Sequence, residues 1–275
     1  MPDKMAEQAE DAGIAKASRS FSKTFVLAVL AGAFISFGAI FATTVTAELT
    51  LSSSFTKLIG GVAFSLGLIL VIIGGAELFT GNNLIVMAWA NKRIKTTQVL
   101  RNWTIVFFGN FVGALSIVVL MFYAQQYSSG TGNIGAKALM IAETKCSLGF
   151  VQAIILGILC NTLVCLAVWL CYSAKTISGK ILAILFPITA FVAAGFEHSI
   201  ANMYFIPKAL LIKSSANMEF WTNINSSPEM YENLTWENFI IHNMIPVTIG
   251  NIIGGAVMVG LVYWFVYLKD NKRMV

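Results

Sequence analysis

Six long apolar stretches alternate with short polar segments along the chain. Each stretch is at least as long as the ~20 apolar residues that a helix needs to cross the hydrocarbon core of a bilayer. Because the bilayer core has no water to satisfy free backbone groups, each stretch must be helical. The pattern predicts one all-α transmembrane domain over about residues 25–268, with polar tails at 1–24 and 269–275. The six predicted spans begin near Phe25, Leu58, Trp103, Leu148, Lys180 and Ile241.

Composition and charge support a membrane protein. Charged residues make up only 11% of the chain, whereas a soluble domain has roughly 25%. The net charge of +5 could suggest nucleic-acid binding, but 13 of the 18 Lys and Arg residues lie before span 1, between spans 2 and 3, between spans 4 and 5, or after span 6. By the positive-inside rule, we expect a multi-pass membrane protein with both termini in the cytoplasm and no nucleic-acid partner. The remaining five are Lys57, Lys137, Lys145, Lys208 and Lys213.

The segment before the first span is polar and of mixed charge. It lacks the apolar core and small-residue cleavage site of a signal peptide, so we expect a cytoplasmic tail. Its alternation of Ala, Ile and charged residues allows a short amphipathic helix, and a structureless tail is the alternative.

Metal, cofactor and nucleophile sites are not indicated. The two histidines are far apart in the sequence, no C-x-x-C pair is present, and no P-loop or G-x-S-x-G motif occurs. We therefore expect no metal, no cofactor and no enzyme activity. Four cysteines are expected to pack as small apolar side chains: Cys146, Cys160, Cys165 and Cys171.

Two motifs recur in the same order along the chain. The first, G-x-E-x-x-x-x-N, occupies residues 75–82 in span 2 and 195–202 in span 5. The second, G-N-x-x-G, occupies residues 109–113 in span 3 and 250–254 in span 6. Spans 1–3 (about 25–123) and spans 4–6 (about 148–268) are therefore predicted to be copies. Since each copy has an odd number of spans, the two must be inverted, an architecture typical of transporters and channels.

Spans 2 and 5 carry Gly and Asn at the first motif, and both residues destabilise helices. An unwound backbone at membrane depth is tolerated where it lines a cavity or is buried in protein. The pattern predicts that both spans are broken, and each break offers a half-helix N-terminus that favours an anion. Helix packing is the alternative role for these glycines, and it is the favoured one for the glycines of the second motif.

Only three ionisable residues lie deep in apolar spans, and each is a functional candidate because its burial is costly. Glu77 and Glu197 occupy equivalent repeat positions, so we expect both to accept hydrogen bonds from backbone N–H groups freed at the breaks. A proton-relay role is the alternative. His198 has no counterpart in the first repeat, where Leu78 stands. With an unperturbed pKa of about 6.5, a histidine can exchange a proton with a weak acid.

Three runs of sequence resemble the formate/nitrite transporter family, and in particular its bacterial formate channels. They are residues 76–80 (AELFT), 195–203 (GFEHSIANM) and 246–255 (PVTIGNIIGG). The resemblance extends over the whole chain. It implies an aquaporin-like fold, a homopentamer with one pore per protomer, and an N-terminal tail that acts as a pH-responsive plug.

The resemblance also implies roles for individual residues. It implies a cytoplasmic constriction formed by Leu68, Leu78 and Phe79 with Thr80, and a periplasmic constriction formed by Phe64 and Phe191. Polar pore positions, with Lys145 attracting anions near the outer mouth, would be His198, Thr80, Asn251, Asn161 and Lys145.

Formate is the expected substrate, and the lipid bilayer and a formate-producing enzyme at the N-terminal tail are the expected partners. In one mechanism His198 protonates formate and neutral formic acid crosses the constrictions. In the other, formate stays anionic and His198 is only a hydrogen-bonding partner. Two other functions stay open, a channel for another small anion (nitrite, hydrosulfide, acetate or lactate) and a membrane-embedded redox subunit. A water or glycerol channel is a weaker option because spans 2 and 5 contain no Arg.

Overall fold

The structure is a computed structural model that describes residues 2–270. Residues 271–275 of the predicted C-terminal tail lie outside the described residues. Every regular element within residues 2–270 is helical. In chain order the helices are α1 (Pro2–Ser18), α2 (Phe21–Thr46), α3 (Ser53–Gly74), a 3₁₀ turn (Gly81–Ile85) leading into α4 (Val86–Ala90), α5 (Thr96–Tyr123), α6 (Asn133–Cys146), α7 (Phe150–Ser173), α8 (Ile177–Ala193), α9 (Ser199–Ser215), α10 (Met218–Asn223) and α11 (Trp236–Tyr267).

Five of these helices are long and apolar enough to cross a membrane: α2, α3, α5, α7 and α11. The fifth predicted span is divided between α8, an apolar helix of 17 residues, and α9. The chain is therefore a multi-pass membrane protein, as predicted from its apolar stretches.

The segment before the first span forms the helix α1 instead of a structureless tail. It packs against α4, α5, α7 and the end of α11. Met5 shares one apolar cluster with Trp169 and Leu268, so the two ends of the chain meet on one side of the protein. We call this the terminal side and the opposite side the far side.

Small residues bring the long helices into backbone contact within each half of the chain. A Cβ added at Gly113 of α5 would overlap the backbone of Val29 in α2. In the second half, a Cβ at Gly254 of α11 would overlap the carbonyl oxygen of Ile158 in α7. The glycines of the G-N-x-x-G motif therefore have the packing role that the sequence predicted.

The substitution Gly254→Ala is expected to lower the free energy of unfolding by about 1–3 kcal/mol, because the added methyl group forces α7 and α11 apart. The measurement is thermal unfolding of the purified protein in detergent. Gly149→Ala is the matched control, since a Cβ at Gly149 meets nothing within 4 Å. Equal melting temperatures for the two variants would contradict the packing role.

Candidate functional site

The chain leaves the helical conformation twice inside the bundle. Helix α3 ends at Gly74 and the next turn begins at Gly81, while α8 ends at Ala193 and α9 begins at Ser199. We call residues 75–80 the first break and residues 194–198 the second break. Gly75 has φ of 75° and Gly195 has φ of 74°. Glycine adopts this left-handed conformation without steric cost, which explains the first glycine of the repeated motif.

Asn110 of α5 stabilises the first break by hydrogen bonds to its backbone. Its side-chain oxygen accepts a hydrogen bond from the backbone N–H of Phe79 (2.9 Å), and its amide donates to the carbonyl oxygen of Glu77 (2.9 Å). The same amide donates to the carbonyl oxygen of Ala28 in α2 (2.7 Å). One buried side chain thus satisfies backbone groups that the interrupted helix leaves free.

Asn251 of α11 does the same for the second break. Its oxygen accepts from the backbone N–H of Ser199 (2.9 Å), and its amide donates to the carbonyl oxygens of Glu197 and Gly157 (2.9 Å each). Asn251 was predicted to be a polar pore group, but these bonds engage both ends of its amide. Its role in the structure is to support the break.

Glu77, at the first break, is surrounded by side chains. Lys16 Nζ lies 3.0 Å from each carboxylate oxygen, and the Asn82 amide donates to Oε2 (2.6 Å). Arg19 also donates to Oε1. The prediction that this carboxylate accepts from freed backbone N–H groups was wrong, because its donors are side chains. The N–H of Phe79 is donated to Asn110, and that of Glu77 to the carbonyl oxygen of Leu27.

Glu197 has an equivalent set of partners at the second break. Lys145 of α6 donates to its Oε1 (2.7 Å), and the Asn202 amide donates to its Oε2 (2.7 Å). Here too the partners are side chains and not the predicted backbone N–H groups. Lys145 was predicted to attract anions, but its charge is paired with a carboxylate only 6% exposed.

The two lysines belong to matching networks. Asn102 donates to the carbonyl oxygen of Lys16 (3.3 Å) and accepts from Asn82 (3.0 Å). Asn243 donates to the carbonyl oxygen of Lys145 (3.0 Å) and accepts from Asn202 in the same way (2.7 Å). Helix α1 therefore makes with the first break the contacts that α6 makes with the second.

The sequence contained a signal for part of these networks. Asn82 and Asn202 close the repeated G-x-E-x-x-x-x-N motif, so a shared role could have been assigned to both. Asn102 and Asn243 each lie eight positions before the asparagine of the second motif. Lys16 gave no such signal, because it lies in a polar segment among other charged residues.

His198 caps α9 and meets Thr80 across the protein core. Its Nδ1 accepts a hydrogen bond from the backbone N–H of Ala201 (3.1 Å), so Nδ1 bears no hydrogen. The neutral ring then carries its hydrogen on Nε2, which lies 2.9 Å from the hydroxyl oxygen of Thr80 and donates to it. This pair brings the first break against the second.

Two cavities approach the His198–Thr80 pair from opposite sides. The terminal-side cavity, about 220 Å³, lies beneath α1 and is lined by Ala9, Lys16, Leu68 and Leu78 among others. The far-side cavity, about 360 Å³, has Phe64, Phe191 and His198 among its lining residues. Phe64 and Leu68 are one turn apart on α3, about 6 Å along its axis. A short apolar barrier therefore separates the cavities.

Two residues predicted to line the pore point elsewhere. The ring of Phe79 lies against Phe107 (5.1 Å between centroids) and Trp103, and Phe79 lines neither cavity. The amide of Asn161 donates to the carbonyl oxygens of Thr80 (3.2 Å) and Asn251 (2.6 Å). Asn161 therefore links the first break to α11 and is occupied by protein partners.

A model of the family described as formate/nitrite transporter matches residues 3–265. The chain belongs to the formate/nitrite transporter family. The resemblance seen in the sequence motifs is thereby confirmed. In this formate/nitrite transporter the matched region includes α1.

Relatives of this formate/nitrite transporter match almost end to end. The formate channel FocA of Escherichia coli (strain K12) is 48% identical over 274 residues, which cover 99% of this chain and 96% of the relative. The formate channel FocA of Haemophilus influenzae is 41% identical over 261 residues, covering 94% of this chain and 92% of the relative. A solved structure described as a pentameric formate channel with formate bound has a TM-score of 0.86 at 44% identity and covers 90% of this chain and 98% of its own.

Proposed function

We propose that this formate/nitrite transporter is a channel for formate and related small monovalent anions in a bacterial inner membrane. The observation that carries the proposal is the near-complete match to a pentameric channel that has formate bound. Two opposed cavities separated by a short apolar barrier support it. The proposal includes a homopentamer with one pore per protomer, and it assigns the terminal side to the cytoplasm.

The His198–Thr80 pair supplies polar hydrogen-bonding groups within the apolar barrier. An anion that leaves water loses several kcal/mol of hydration free energy, which Phe and Leu side chains cannot replace. The Nε2–H of His198, together with the hydroxyl of Thr80, offers hydrogen bonds at this point. Formate that reaches His198 from the far-side cavity would accept the Nε2–H in place of the Thr80 oxygen, to which it is donated in the structure.

The geometry favours the mechanism in which His198 stays neutral. Donating the Nε2 proton from the neutral ring would leave an imidazolate, so a proton-donor cycle first requires protonation of Nδ1. That nitrogen accepts the N–H of Ala201, and its protonation would remove the cap of α9. We therefore assign His198 the role of hydrogen-bond donor to the permeating anion.

Helix α1 is the proposed gate on the cytoplasmic side. It covers the terminal-side cavity and is attached by Lys16 and Arg19 to Glu77 and by Glu10 to Asn91 (2.6 Å). Among residues 2–270 the chain connects α1 to the bundle at its C-terminal end, so α1 can move away when these bonds and its apolar contacts with α4, α7 and α11 break. Response of this gate to pH, and contact of α1 with a formate-producing enzyme, are parts of the same proposal.

Substrate flux into proteoliposomes tests the proposal. The purified protein is reconstituted at a known protein-to-lipid ratio, and flux is measured at two pH values. We expect formate to enter faster than nitrite or lactate and much faster than glycerol. Liposomes without protein are the control. Glycerol flux without anion flux would overturn the proposed function, and equal rates for nitrite and formate would move the assignment to another anion of the same class.

A further inference from the structure

The far-side cavity is larger than a single-carbon anion requires. Its volume is about 360 Å³, whereas a water molecule occupies about 30 Å³ in the liquid. A cavity of this size holds several atoms beyond those of formate. The arrangement of charged and apolar side chains along its depth indicates which larger anions would fit.

One face of α6 lines this cavity from its outer rim to its floor. Lys137, Met140, Ile141, Thr144 and Lys145 all belong to the lining, with the spacing of neighbours on one helical face. At 1.5 Å per residue, Lys137 lies about 12 Å from Lys145 along the helix axis. Because Lys145 contacts Glu197 at the second break, Lys145 lies at the floor, and Lys137 is the lining residue of α6 farthest from that point along the helix.

Helix α3 gives the same order on the opposite wall. Lys57 belongs to its first turns, near the far side, and Phe64 lies about 10 Å deeper along the axis. The ring of Phe64 packs against Phe191 (5.8 Å between centroids) and closes the floor. Lys57 and Lys137 therefore both belong to the outer rim.

The cations of the rim and of the floor differ in their partners. Lys145, at the floor, is paired with Glu197 at 2.7 Å. Within residues 2–270, neither Lys57 nor Lys137 forms an ion pair. The net positive charge that faces an entering anion is therefore at the rim.

The walls between rim and floor are largely apolar. Met140 is 58% exposed although it is a large apolar side chain. Phe205 extends this surface towards the floor, where its ring stacks on Phe64 (6.3 Å between centroids). With Ile141 and Phe196, these side chains form an apolar belt below the two lysines.

We propose that the far-side cavity binds medium-chain aliphatic monocarboxylates, such as hexanoate and octanoate, as blockers of the channel. The carboxylate lies at Lys57 and Lys137, and the alkyl chain extends along Met140 and Phe205 towards Phe64. Formate has no alkyl chain to hold it at the rim and moves on, whereas a longer acid fills the path to the floor. The blocking effect rests on the proposed function, but the binding itself does not.

The first test is calorimetric titration of the protein in lipid nanodiscs at pH 7.4, with empty nanodiscs subtracted. Butyrate, hexanoate and octanoate are expected to bind with affinity that rises two- to fourfold per added methylene. Each buried methylene adds to the favourable free energy of transfer from water to an apolar environment. Octanol, with the same chain and no charge, is expected to bind at least fivefold more weakly than octanoate. Equal binding of octanol and octanoate, or no binding above empty nanodiscs, would overturn the proposal.

Two sets of variants separate the charged rim from the apolar belt. Lys57→Gln combined with Lys137→Gln is expected to weaken octanoate binding at least fivefold. The matched control, Lys23→Gln with Lys92→Gln, removes two exposed lysines elsewhere in the chain and should leave it unchanged. Met140→Asn is expected to flatten the dependence on chain length without abolishing binding. Unchanged octanoate affinity in the Lys57/Lys137 variant would contradict the proposed site.

Inhibition of formate flux by octanoate completes the test. We expect octanoate on the far side of proteoliposomes to raise the apparent KM for formate, and the Lys57/Lys137 variant to be less sensitive. If the protein binds octanoate but transports no formate, the proposed function is disproved and the proposed binding site is not. If octanoate neither binds nor affects formate flux, the proposed binding site is disproved and the proposed function is not.

Discussion

Replacing His198 with asparagine is expected to lower formate flux tenfold or more while the second break stays folded. Asparagine is among the best N-cap residues, so its side-chain oxygen can accept the N–H of Ala201 as Nδ1 does now. The substitution removes the Nε2–H that meets Thr80 in the barrier. A hydrogen bond to a charged group contributes about 1.5–3 kcal/mol, which corresponds to a loss of roughly 10- to 100-fold in rate. Stopped-flow formate uptake into proteoliposomes measures the effect.

The same experiment separates the two mechanisms for His198. If this side chain supplies the proton, the number of protons that enter with each formate should fall in His198→Asn. If it donates only a hydrogen bond, the rate falls and the proton-to-formate ratio is unchanged, which is the result we expect. His242→Asn is the matched control because His242 is exposed and lines neither cavity. Wild-type flux in His198→Asn would show that the barrier does not depend on this side chain.

The predictions that proved reliable came from residues whose local chemistry allows few alternatives. An apolar stretch of sufficient length must be a helix in a bilayer, so the membrane domain followed from the sequence. The glycines of the first motif take a left-handed conformation at both breaks, and those of the second motif allow backbone contact between helices. In each case one residue type fits one geometric requirement.

The parts that the sequence did not predict depend on contacts between distant segments. Helix α6 has only 14 residues, too few to span the membrane, and its sequence gave no sign that it lines the far-side cavity. Lys16 could not be distinguished from other lysines of the N-terminal segment. The boundaries drawn at about residues 25 and 148 left both lysine-bearing helices outside the two repeats, although each is bound to its break.

Phe79 shows a second limit. The first break is not helical, so no regular period determines which way each side chain points. Leu78 lines the terminal-side cavity, whereas its neighbour Phe79 packs against Phe107. The direction is set by the aromatic side chains of α5, which are far away in the sequence.

Removing the two carboxylates is expected to have different consequences although their networks match. In Glu197→Gln, Lys145 loses its ion pair with Glu197 while its side chain is only 15% exposed. An unpaired buried charge costs about 3–5 kcal/mol, so we expect a large loss of stability in thermal unfolding. Helix α6 is joined to the bundle at both ends and cannot carry Lys145 into water. Adding Lys145→Met is expected to restore much of the lost stability.

In Glu77→Gln the freed cations are Lys16 of α1 and Arg19 just after it, which are already 26% and 30% exposed. Because residues 19–20 connect the C-terminal end of α1 to α2, α1 can swing about this connection and expose both side chains to water. We expect the melting temperature to fall much less than in Glu197→Gln, faster proteolysis within residues 2–18, and higher formate flux as the terminal-side cavity opens. Equal losses of stability in the two variants, with no change in proteolysis, would mean that α1 is as fixed as α6 and does not act as a gate.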